Sequence, residues 1–145
     1  MKKYFVIALV ACVALVTLAV TPAQAQSLIR VDVPFSFSAS SELLPAGEYT
    51  INRVGLDYSA LSLYSGQRGV EMILPLTIES RTDFEVPKLV FHRYGDEYFL
   101  AEIWTTNDTA VRTLAAHPRE RQLAKAGVSP QVAVVYGAMS ATAGK

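Results

Sequence analysis

Cysteine is almost absent from this chain of 145 residues, whose one thiol is Cys12, inside an apolar amino-terminal run. A single cysteine excludes an intrachain disulfide and a thiolate metal cage, so stability has to come from an apolar core. Histidine is nearly as scarce. His92 and His117 are the only two, 25 residues apart and without an Asp/Glu cluster at ligand spacing, so no metal centre and no cofactor are expected. Net charge is missing as well, since 13 basic residues balance 13 acidic ones, which leaves no field to draw nucleic acid or an anionic membrane. There is no Gly-x-Ser-x-Gly elbow, and Ser65-Gly66 lacks an adjacent His or paired acid, so a serine nucleophile has no support. No internal repeat is found.

What the chain does have begins at its first residue. Lys2 and Lys3 precede the apolar run Tyr4–Val20, and Ala23-Gln24-Ala25 is a small-residue cleavage motif, the pattern of a secretory signal peptide over residues 1–25. At 17 residues the run sits at the lower edge of the roughly 20 that span a bilayer. Two other readings stay open: an uncleaved anchor, and a lipobox at Leu9-Val10-Ala11-Cys12 that would leave Cys12 lipidated. Cleavage after Ala25 is the favoured one. It makes the protein periplasmic or secreted and removes Cys12, Lys2 and Lys3, leaving 120 residues near a charge of −2 with no thiol and no membrane span. That length suits one domain, residues 26–137, followed by a small, polar, flexible tail over 138–145.

The rest reads as short strands between turn residues. Leu28–Ser38 (LIRVDVPFSFS) alternates, with Val31, Val33, Phe35 and Phe37 on one side. Pro34 cannot donate to a ladder, so that strand is expected at an edge or bulged. Leu44-Pro45-Ala46-Gly47 is a turn, with Gly47 free to take a positive φ. Glu48–Val54, Ala60–Tyr64 and Val70–Glu79 follow as strands, and Pro75 demands a break, bulge or edge in the last.

Lys88–Trp104 (KLVFHRYGDEYFLAEIW) is two apolar-aromatic runs around Gly95-Asp96, the signature of a type II′ hairpin. Its register pairs Arg93 with Tyr98, Phe91 with Leu100, Leu89 with Glu102, His92 with Phe99 and Val90 with Ala101. Both faces carry apolar residues, so the hairpin is expected to be central and covered on each side. Ala110–Leu114 is one more short strand. Pro118–Ala126 reads as a two-turn helix starting on Pro118 and ended by Gly127, packing Leu123 and Ala124 on the sheet. Gln131–Tyr136 is the last strand. Seven or eight strands, one short C-terminal helix and no βαβ alternation predict an all-β fold, an antiparallel sandwich or small barrel.

Three stretches carry a likeness to known sequences: Val31–Phe37 (VDVPFSF) leading to Leu44–Tyr49 (LPAGEY), Lys88–Leu100 (KLVFHRYGDEYFL), and Arg119–Ala124 (RERQLA). Together they resemble a group of small exported bacterial proteins of the acidobacterial kind, known only as hypothetical proteins. The chain departs from the group at Val111-Arg112-Thr113-Leu114-Ala115, where a Gly-Arg-Glu-Leu-Pro-like segment is common. The resemblance implies an exported, single-domain bacterial protein and transfers no function.

Candidate chemistry is thin. His92, Arg93, Tyr94 and Asp96 form the one dense polar cluster on a well-defined element, and an acid near the turn, Asp96 or Glu97, can orient an imidazole as a general base. Strand alternation argues the other way, putting His92 and Arg93 on opposite faces, with His92 packed on Phe99 and Arg93 over Tyr98. Arg119 and Arg121, with Lys125, offer a weak docking patch for an acidic partner that Glu120 dilutes. Asp57, Asp83 or Asp108 provide at most an isolated Ca²⁺ contact. Asn107-Asp108-Thr109 reads as an Asx turn. The many aromatic residues, Tyr58 and Phe84 among them, serve core packing first and a ligand face second. No catalytic residue is assigned. The expectation is a non-enzymatic β domain that binds an unknown protein or envelope component. The alternatives are a barrel carrying an apolar ligand and a minor hydrolase centred on His92 with Asp96 or Glu102.

Overall fold

A computed structural model of the chain describes residues 27–54, 60–66, 68–83, 85–106 and 109–139. The leader and its cleavage motif, the tail beyond 139, and Asp57, Tyr58, Phe84, Asn107 and Asp108 lie outside the described residues. The fold is all-β, with eleven strands and one helix among those residues. The strands are β1 (Ser27–Val33), β2 (Phe37–Ala39), β3 (Glu42–Leu44), β4 (Gly47–Val54), β5 (Ala60–Ser65), β6 (Arg68–Ile73), β7 (Thr77–Ser80), β8 (Lys88–Tyr94), β9 (Glu97–Thr105), β10 (Ala110–Thr113) and β11 (Gln131–Tyr136), and helix α1 is Pro118–Lys125. No described helix is long and apolar enough to cross a membrane.

Two sheets face each other. One has four strands in the order β1-β4-β5-β6; the other has seven, β11-β8-β9-β10-β7, with β2 and β3 attached through β9. They are not closed into a barrel, which removes the enclosed sheet that an apolar-ligand carrier needs. The strand number exceeds the expected seven or eight because two proline-bearing runs are each split. Pro34 falls in the connection after Val33, separating β1, which lies at the edge of its sheet as expected, from β2, and Pro75 separates β6 from β7. The hairpin β2–β3 is an addition that the sequence pattern did not isolate.

The core between the sheets is apolar. Ile29, Val33, Ile51 and Leu61 from one sheet meet Phe37, Leu89, Phe91 and Ile103 from the other, all at 0% exposure. Phe37 is the hub: its ring meets Tyr49 edge-on at 5.3 Å and Phe91 at 5.2 Å, the T-shaped geometry the ring quadrupoles favour. Tyr49 stays buried because its hydroxyl donates to the Pro45 carbonyl at 2.6 Å, which also fixes the turn into β4. Arg112 is buried as well, donating from Nη1 to Thr105 Oγ1 at 2.7 Å.

The β8–β9 hairpin is interior in its sheet, as its two apolar faces predict. Gly95 turns at φ +63°, and Asp96 is outside the left-handed region, which suits the II′ turn. Near the turn the register is the expected one: Arg93 faces Tyr98, His92 faces Phe99 and Phe91 faces Leu100. Beyond it the pairing shifts, so Val90 faces Glu102 and Leu89 faces Ile103 instead of Ala101 and Glu102. The reason is a bulge at Ala101. Without it Glu102 would enter the core opposite Leu89; with it Ile103 takes that place, and Glu102 turns outward to accept from Trp104 Nε1 at 2.7 Å.

At the far corner Ala138 exchanges backbone hydrogen bonds with Arg30, 2.9 and 2.8 Å. Ala138 is therefore bonded into the sheet region rather than part of a free tail, and the two sheets meet there.

Candidate functional site

The outward face of the seven-stranded sheet brings His92, Tyr94 and His117 together, because the segment into α1 folds across it. His117 caps the helix: its Nδ1 accepts from the Arg119 N–H at 3.1 Å, while its own N–H donates to Glu120 Oε2 at 3.3 Å. Pro118 occupies the first helical position, where no N–H is needed, and Gly127 ends the helix at φ +82°. The anchor of this helix is not the expected Leu123 and Ala124, which stay half-buried and exposed. It is Glu120, 5% exposed.

Glu120 joins the cap to the sheet. Its Oε1 lies 2.5 Å from His92 Nδ1; a carboxylate only accepts, so Nδ1 carries the proton. His117 then lies nearly parallel on Phe99, the cross-strand neighbour of His92, at 5.4 Å. Tyr94, on the same face, meets Phe99 edge-on at 5.9 Å, and its burial, with the Glu120 carboxylate adding, pushes its phenol above the ordinary value.

The remaining candidates disperse. Arg93 points to the other face, donating to the Gly95 carbonyl at 2.7 Å and lying 5.5 Å from the Tyr98 ring centroid. Arg119 forks onto Glu97, with Nη2 3.1 Å from Oε1 and Nε 3.2 Å from Oε2, and this pairing holds its guanidinium above the usual value. Arg121 donates to the Ala116 carbonyl. Asp96 is exposed at the turn. Asp83 is held below the usual carboxylate range by Arg81, 2.5 Å away, which leaves it a poor start for a Ca²⁺ site. Among the described residues no group of three His, Cys, Asp or Glu is placed to hold a metal ion. No known family model, curated protein or solved structure matches this chain.

Two hollows flank this assembly. The smaller, about 70 Å³, lies beside His92 and Glu120 and is walled by Leu100, Glu102 and Thr113. A carboxylate-oriented imidazole is the arrangement of a general base. This hollow, though, is a fraction of the roughly 300 Å³ that a small-molecule site needs, and His92 is oriented by Glu120 rather than by Asp96 or Glu102. The larger hollow, about 500 Å³, lies between the β2–β3 hairpin and the β8–β9 turn, with Ser36, Ser38, Ser41, Asp96, Tyr98 and His117 in its walls. Glu120 and this cleft were the features that sequence reasoning missed. The signal for the first was there: a Glu three residues after a cap position is the capping-box spacing, concealed because the cap is His and not Ser, Thr, Asp or Asn.

Proposed function

We propose that the chain is an exported, non-enzymatic β-sandwich that binds a protein partner of the envelope or extracellular space by strand addition at β7. The supporting observation is the outer edge of that strand. β7 ends the order of the seven-stranded sheet, and among the described residues only β10 pairs with it, through Thr77–Ser80 against Ala110–Thr113. All four of its residues are exposed.

Beside that edge runs an apolar row at two-residue spacing, Leu74 at 70%, Leu76 at 72% and Ile78 at 49% exposure. An edge strand exposes N–H and C=O groups that a partner strand completes, and alternate pockets or apolar rows supply selectivity. Glu79 is the one charge within β7. The leader pattern of residues 1–25 supports export. The His92–Glu120 pair, committed to holding a helix beside a hollow too small for a substrate, supports a role without catalysis.

The test is a photo-crosslinking residue at position 78 of the full chain in its native host. A discrete crosslinked product that disappears in Thr77→Pro, while a Glu79→Gln control keeps it, supports the reading. A chain that crosslinks to nothing and neither self-associates nor retains an envelope protein overturns it. Intact mass of the exported product, starting at Gln26, tests the address.

A further inference from the structure

From the opposite end of the sheet, we infer that the 500 Å³ cleft between the β2–β3 hairpin and the β8–β9 turn is a binding site for a neutral saccharide of one or two rings. The cleft exists because of side-chain size. On β2, Phe37 and Ala39 enter the core, while the alternate positions facing out are serines. Ser38 bridges directly to Phe99 of β9, and Leu43, its partner on β3, is 65% exposed. Short hydroxyls beneath a leucine wall leave a hollow where larger residues would fill the sheet face.

The lining chemistry selects the ligand. Each serine hydroxyl both donates and accepts, as each sugar hydroxyl does; Asp96 only accepts. Because His117 Nδ1 is engaged by the Arg119 N–H, the neutral ring carries its proton on Nε2, a donor. An anion is opposed by Asp96. An apolar guest would leave three hydroxyls and a carboxylate dry and unpaired. A cation gains little, because Arg119 already neutralises Glu97 through its fork. Donors and acceptors interleaved at short spacing around a single unpaired carboxylate match a polyhydroxylated neutral molecule, and the volume lies within the roughly 300–1,000 Å³ of small-ligand sites.

The walls are also fixed in advance. Tyr98 is held by Phe35, stacked on its ring at 3.8 Å, and by the Arg93 guanidinium 5.5 Å from its centroid. Ser41 follows Ser40, which is held at φ +54° in the tight β2–β3 turn. His117 is tied to the helix start. A site whose donors are positioned before the ligand arrives loses little freedom on binding.

Amide chemical shifts of the ¹⁵N-labelled full chain, expressed with its own amino-terminal segment, provide the test, with cellobiose, maltose and N,N′-diacetylchitobiose as probes up to about 20 mM, enough to detect dissociation constants of order 1 mM. At least one probe is expected to shift Ser38, Ser41, Asp96 and His117 together. Asp96→Ala is expected to weaken that binding about tenfold at an unchanged melting temperature, and Ser41→Trp, which fills the cleft, to abolish it. The inference is overturned if no probe moves these amides, if spermidine or inorganic phosphate moves them instead, or if Asp96→Ala binds as before. None of these outcomes touches β7, so the two proposals fail separately.

Discussion

Replacing Glu120 with alanine removes two attachments at once. The first is the helix cap: Oε2 accepts the His117 N–H at 3.3 Å, and losing such a cap costs about 1 kcal/mol. The second is the 2.5 Å contact to His92. A hydrogen bond to a charged group contributes about 1.5–3 kcal/mol, and the low end applies, because the His92 side chain is 37% exposed and water can replace the lost acceptor. The total is about 2.5 kcal/mol. For a domain of this size each kcal/mol lowers the melting temperature by about 4 °C, so Glu120→Ala should melt about 10 °C lower. Glu120→Gln leaves one acceptor oxygen for two donors that bond separate oxygens in the wild type, so it keeps one attachment and should fall about half as far. Thermal and urea unfolding of wild type, Glu120→Ala, His92→Ala and the double variant measure the coupling directly, with about 1–2 kcal/mol expected between the two residues. A shift under about 2 °C for Glu120→Ala, or a coupling near zero, would refute the view that this carboxylate is what holds α1 on the sheet.

Three further outcomes follow from the same structure. Gly95 has φ +63° and no atom within 4 Å of where a Cβ would stand, so Gly95→Ala should cost only the backbone penalty, about 1–2 kcal/mol, read from the urea midpoint. The Tyr94 phenol is raised above its ordinary 10.0 by burial and Glu120. The unfolded chain therefore loses that proton first. The stabilisation is complete below pH 10 and declines as pH climbs toward the folded value, by up to about 1.4 kcal/mol per pH unit, and Tyr94→Phe should flatten that decline in alkaline urea titrations. Finally, Phe37→Ala should cost about 3–5 kcal/mol, since the ring is fully buried between Tyr49 and Phe91, whereas Arg119→Ala, an exposed fork onto Glu97, should leave the melting curve in place.

What was legible in the residues was local. Gly95-Asp96 between aromatic runs located the hairpin and its register near the turn, because turn chemistry and two-residue alternation act over neighbouring positions. Pro118 and Gly127 framed the helix for the same reason. The bulge at Ala101 was not legible, since it answers a long-range demand, keeping Glu102 out of a core that only exists once both sheets meet. Nor was the cleft: three serines read as ordinary polar positions until β2 lies beside β9. The Arg93 contact with Tyr98 came from pairing alone, but the partner of His92 is 28 residues away, and no spacing rule reaches that far.

The bond between Ala138 and Arg30 ties nearly the last described residue to nearly the first. The two residues stand 108 positions apart in the sequence, so this seam between the sheets is a contact of very long range, whereas β1 pairs with β4 over a short connection. Closing a loop of that span costs more chain entropy than closing the β8–β9 hairpin, so the hairpin should form before the seam does.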